Sequence, residues 1–144
     1  MSVVLASVFG TAFLAATILP FSSEVVVAAA MADELINLIA LWTAATAGNT
    51  LGAIVNYWLG RGTNHYRGRS WFPASQPQMD KAETWFNRYG VWSLLMAWLP
   101  IGGDALTVIA GLLRVRLDVF VILVGFGKGA RYAVVIAGVD ALLF

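Results

Sequence analysis

The chain has 144 residues, enough for one domain at about 100–200 residues each. Hydrophobic residues make up 60% and charged residues 12%, against about 45–50% and about 25% in soluble domains, so the charged shell of a soluble fold and the polarity of a disordered chain are both excluded. A net charge of +1 leaves no basic stripe for nucleic acid, and the absence of cysteine removes disulfide, thiol and zinc-thiolate chemistry. What remains is a polytopic membrane protein, whose long apolar blocks are read as helices, giving an all-α integral membrane fold.

Residues 1–23 carry no charged side chain, unlike the basic opening of a cleaved signal peptide, so the first apolar block (3–32) is read as part of the membrane domain. It is interrupted at Leu19-Pro20-Phe21-Ser22-Ser23-Glu24. The second block, 35–60, is free of charge and long enough to span about 30 Å of hydrocarbon. Residues 61–88 form a polar linker, in which Asp80, Lys81 and Glu83 with Trp85 and Phe86 predict an amphipathic surface helix. The third block, 89–113, breaks at Leu99-Pro100-Ile101-Gly102-Gly103-Asp104, and the last runs from 117 to 144.

Arg61, Arg67, Arg69, Lys81 and Arg88 crowd the linker, and Arg114 and Arg116 the loop before the last block. Lys and Arg collect in cytoplasmic loops, so both are read as cytoplasmic and Asp33-Glu34 as external. The third block then cannot cross once; it must enter and return, turning at its Pro-Gly break. The first block has the same grammar: Pro20, Ser22 and Ser23 match Pro100, Gly102 and Gly103, each break ending in an acid. Each is followed by a long helix with small residues at spacing four, which includes Gly48, Gly52 and Asn56 in one and Gly125 and Gly129 in the other. The expected fold is one membrane domain of two inverted hairpin-plus-helix repeats (1–60 and 89–144) with opposed re-entrant hairpins, joined by the linker 61–88. Inverted repeats with broken helices mark transporters.

Several runs resemble the DedA family, the bacterial branch of the VTT or SNARE-associated superfamily: Leu19-Pro20 through Glu24; Gly48-Asn49-Thr50-Leu51-Gly52 with Tyr57 and Gly60-Arg61; Trp85-Phe86-x-x-Tyr89-Gly90; and Leu99-Pro100 followed by Ala110-Gly111. Lys128, Arg131 and Tyr132 resemble its short YqaA-like subgroup. The resemblance implies a multi-pass bacterial inner-membrane protein that moves a lipid phosphate, undecaprenyl phosphate or a phospholipid, with proton coupling suspected. The chain departs from the larger members' Arg-Phe-x-Pro-x-x-Arg pattern: Ala97 and Gly103 stand at the arginine positions, Trp98 at the aromatic one, and Asp104 follows. A lipid phosphate would have to be held by other cations, or the substrate differs.

Ionisable side chains at mid-membrane cost about 2.5–3.5 kcal/mol on insertion scales and default to a functional reading. Glu24 and Asp104 follow the two breaks, and Lys128 and Arg131 lie mid-way along the last block. These four are the expected substrate- and proton-binding residues, the cations for a phosphate and an acid for a proton; a structural ion-pair network is the alternative. Asn49 and Asn56 are read as interhelical hydrogen bonders, the tryptophans as interface anchors or packing, Asp118 and Asp140 as solvated, and His65 as too isolated for a metal site. No cofactor is expected, and no nucleophile set, metal cluster or phosphate-cradling loop supports an enzyme. An ion-coupled carrier of a small solute and a non-catalytic scaffold remain the other functional classes. Small-residue faces left over from internal packing favour a homodimer.

Overall fold

A computed structural model of the chain describes residues 2–17, 23–62, 76–98 and 103–143. Of the predicted hairpin breaks, Pro20, Ser22, Pro100 and Gly102 lie outside the described residues, whereas Ser23 and Gly103 each open a helix. Every regular element among the described residues is helical: α1 (Ser2–Thr17), α2 (Ser23–Ala30), α3 (Leu38–Arg61), α4 (Gln76–Tyr89), a 3-10 segment (Gly90–Met96), α5 (Gly103–Leu112) and α6 (Leu117–Leu143).

Two of these are long and apolar enough to cross a membrane: α3 has 24 residues and α6 has 27, about 36 and 40 Å at 1.5 Å per residue. α1, α2 and α5, with 16, 8 and 10 residues, are too short to do so. α3 starts sharply because Asn37 Oδ1 accepts from the N–H groups of Ile39 (2.9 Å) and Ala40 (3.0 Å), satisfying two free donors of the first turn. α4 is the predicted amphipathic helix; Met79, Ala82 and Phe86 are its buried side, and Trp85 is partly exposed. It ends at Gly90, whose φ of +63° suits glycine and turns the chain into the 3-10 segment.

Contacts along α3 fix the direction of its neighbours. α1 runs parallel to it, since Phe9 meets Gly48, Ala12 meets Asn49 and Ala16 meets Asn56. α6 runs antiparallel, with Gly125 against Thr50, Gly129 against Thr46 and Trp42, and Ile136 in one cluster with Leu41. α2 leads back from Tyr132 to that same cluster, which also holds Ala30 and Met31. α5 leads from the Lys128 level to Gly60, which packs on Val108 and Leu112. The short helices exchange supports: α1 packs on α3 and the 3-10 segment on α6, while α2 packs on α6 and α5 on α3.

The predicted small-residue stripes are absorbed by this intrachain packing. A Cβ on Gly48 would strike the Phe9 carbonyl, and Gly52 is buried. The tightest crossing is α3 on α5, where a Cβ at Gly60 would strike the Val108 carbonyl and one at Gly111 the Tyr57 carbonyl. Tyr57 adds a hydroxyl hydrogen bond of 2.5 Å to the Val115 carbonyl. Gly60→Ala and Gly111→Ala are each expected to cost about 1–3 kcal/mol, the usual range for overpacking. Gly10→Ala and Gly138→Ala, where a Cβ meets nothing within 4 Å, should leave the thermal midpoint of the detergent-solubilised protein unchanged.

Candidate functional site

The α3–α6 crossing brings polar groups together halfway along both helices. Gly48 and Gly127 are each the eleventh residue of their helix, and each is pressed on a backbone carbonyl, Phe9 of α1 and Leu95 of the 3-10 segment respectively. The twelfth residues are Asn49 and Lys128, and they meet. Lys128 Nζ donates to Asn49 Oδ1, while Asn49 Nδ2 donates to the Ala12 carbonyl at 2.9 Å. Lys128 is 2% exposed. Its direct partner is a neutral amide; the Asp104 carboxylate acts on it electrostatically without forming an ion pair.

Arg131 lies nearly one turn further along α6 and is held from both sides. It forms an ion pair with Glu24, in the first turn of α2, and its Nη1 donates to the Trp98 carbonyl at 3.1 Å. The neighbouring Tyr132 hydroxyl shares a 2.5 Å hydrogen bond with Ser23 Oγ, fastening the start of α2 to α6. Thr107 anchors the start of α5, donating to the Asp104 carbonyl at 2.6 Å, and Asn56 Nδ2 reaches both Thr107 Oγ1 (3.3 Å) and the Ala16 carbonyl (2.6 Å). Two acids at two helix starts thus face two cations on one turn of α6.

All four predicted charged residues fall in this region, with Glu24 on Arg131 and Asp104 opposite Lys128. Asn49 and Asn56 do bond between helices as expected, but Asn49 is also the direct ligand of the buried cation. Ser23 and Gly103, read as the last residues of the two breaks before their acids, are helix starts: Ser23 bonds to Tyr132, and a Cβ at Gly103 would strike the Ala97 carbonyl. The Ser23–Tyr132 bond carried no sequence signal. The Asn49–Lys128 bond had one, the equal position of the two residues in the two long helices. Among the described residues no three His, Asp or Glu side chains group to hold a metal ion.

Comparison with known proteins identifies the family. Residues 3–140 match the VTT domain. The chain is 36% identical over 133 residues to inner membrane protein YqaA of Escherichia coli (strain K12), covering 91% of this chain and 87% of that protein, with the same figures for the YqaA protein of Shigella flexneri. It is 36% identical over 134 residues to an uncharacterized protein of Haemophilus influenzae, covering 86% of this chain and 80% of that one. No solved structure matches it. The chain belongs to the VTT-domain, or DedA, family of helical membrane proteins.

The Glu24–Arg131 pair generates a charge-cycle test. Both side chains are largely shielded from solvent, at 28% and 18% exposed, and removing one partner of a buried pair typically costs about 3–5 kcal/mol because the other charge is stranded. Arg131→Gln alone should lower the abundance of folded protein in membranes, and adding Glu24→Gln should restore it. Fluorescence-detected gel filtration of detergent extracts reads both.

Proposed function

We propose that the chain is a lipid-phosphate translocator of the bacterial inner membrane, acting as a flippase or scramblase. Its site is Lys128 and Arg131 with Glu24 and Asp104. The observation that carries this reading is that Lys128, buried mid-way along an apolar spanning helix, is held by the neutral Asn49. A cation whose charge is not cancelled by a direct ion pair keeps its attraction for an incoming anion, and its two remaining N–H donors suit phosphate oxygens. A purely structural lysine at that depth would be expected to bond to an acid directly.

The reading includes two opposed re-entrant hairpins related as inverted repeats. α1–α2 would enter from the face where α3 begins, and the 3-10 segment with α5 from the face where it ends. The exchanged supports and the equal positions of Gly48 with Gly127 and Asn49 with Lys128 favour it. Broken helices converging at mid-depth leave backbone groups facing a polar centre, the arrangement that transporters use to bind substrate. Asp104, which forms no direct ion pair among the described residues and lies close to Lys128, is the candidate proton carrier. The YqaA relative's name as an inner membrane protein supports the location.

Topology is tested by cysteine labelling in intact cells. Cysteines at Arg67 and Arg114 should both label only after the cytoplasm is opened, and one at Asp33 should label from outside. Labelling of positions 67 and 114 from opposite sides would remove the second hairpin and the inverted repeat.

Translocation is tested in proteoliposomes by following the exposure of a polyprenyl-phosphate or phospholipid headgroup, beside uptake of a small solute. The wild-type chain should accelerate headgroup exposure, and Lys128→Gln should slow it at least tenfold per folded protein. Full activity in a well-folded Lys128→Gln protein would refute the role of this side chain.

A further inference from the structure

A groove of about 290 Å³ lies between the first turns of α3 and the second half of α6 and is open on its flank. Leu38, Ile39 and Trp42 line one wall, and Ile136, Ala137 and Asp140 the other. Trp42 has committed its indole N–H to the Gly129 carbonyl at 2.7 Å, so it offers the groove only apolar ring. Asp140 is the exception in an otherwise apolar lining.

Asp140 stands in the last turn of α6, where unpaired carbonyls give the helix end a partial negative charge. No basic residue shares that turn, and among the described residues no hydrogen bond or ion pair engages the carboxylate. Among the described residues the other charged side chains at this end are Asp33 and Glu34, just before α3; residues 1–60 and 132–144 contain no Lys or Arg. The occupant complementary to this lining joins an apolar body to a positive charge that can reach the exposed Asp140. A volume near the lower limit of ligand pockets suits a length of acyl chain rather than a whole lipid.

The geometry points to a lipid seat: the groove takes a phospholipid whose headgroup ends in a primary ammonium. Its chain lies along Ile39, Trp42 and Ile136, and its ammonium rests on Asp140. The seat depends on α3 and α6 spanning the membrane and not on any translocation step.

Native mass spectrometry of the full chain in detergent tests it, with equimolar phosphatidylethanolamine and phosphatidylglycerol of identical acyl chains. The wild-type protein should retain the ethanolamine lipid at least threefold over the glycerol lipid. Asp140→Asn should abolish the preference, Asp140→Glu should keep it, and Ala137→Phe, which fills the groove, should lower retention of both lipids. Equal retention by the wild type, or a preference that survives Asp140→Asn, would overturn the seat. So would a dimer that Ala137→Phe dissociates without changing lipid retention, which would make a second copy of the chain the occupant.

Discussion

Lys128 is a cation in the middle of an apolar helix, and much of the packing around it is what makes it tolerable. Its ammonium is held by Asn49 Oδ1, and Asn49 is in turn oriented by the Ala12 carbonyl. That chain of donors requires α1, α3 and α6 to lie within hydrogen-bond reach of one another at one level. Such closeness is possible only where side chains are absent: Gly48 admits the α1 backbone, Gly127 admits the 3-10 segment, and Gly125 and Gly129 face Thr50, Thr46 and Trp42 on α3. In a membrane, apolar surface gives helices little reason to associate, so close approach and interhelical hydrogen bonds have to supply it. Here the same contacts that bind the helices also hold the charge.

The two halves of the molecule divide these tasks unequally. α1 is a 16-residue apolar helix, whereas the corresponding place before α5 is taken by the amphipathic α4 and a seven-residue 3-10 segment. Both long helices carry a glycine and then a polar residue at the same positions, but only α6 carries cations there. The acids are shared out, one in the first turn of α2 and one in the first turn of α5. A carboxylate at a helix N-terminus is favoured by the helix dipole, so each acid is at home locally before it meets a cation.

The long helices were legible because length and uninterrupted hydrophobicity suffice: the blocks 35–60 and 117–144 became Leu38–Arg61 and Leu117–Leu143. The charged residues were legible because ionisable groups at mid-span are rare enough to single out. Their partners were not. Whether Asp104 faces Lys128 or Arg131 depends on how α5 and α6 are rotated, and no local pattern encodes the rotation of two helices joined by a turn. The same limit applies at α4, where Trp85 and Phe86 are adjacent apolar residues and only packing makes Phe86 the buried one. Taken alone, Asn49 is explained as an interhelical hydrogen bonder; its role as the ligand of Lys128, 79 residues away, is encoded only in the equal positions of the two residues in α3 and α6.

The absence of arginine at positions 97 and 103 follows from the same close packing. The larger DedA members resembled by this chain carry arginines on either side of the second proline, where this chain has Ala97 and Gly103. Ala97 is 2% exposed, and a Cβ at Gly103 would already strike its carbonyl. Neither position can take a guanidinium without prying the 3-10 segment away from α5. Yet a guanidinium does reach this segment: Arg131 donates to the Trp98 carbonyl from α6. In this chain the cation is carried by the long helix α6, and an acid, Asp104, follows Gly103 in the first turn of α5. A cation on a continuous helix is fixed in depth by the whole span, and here also by its ion pair with Glu24 in the first turn of α2.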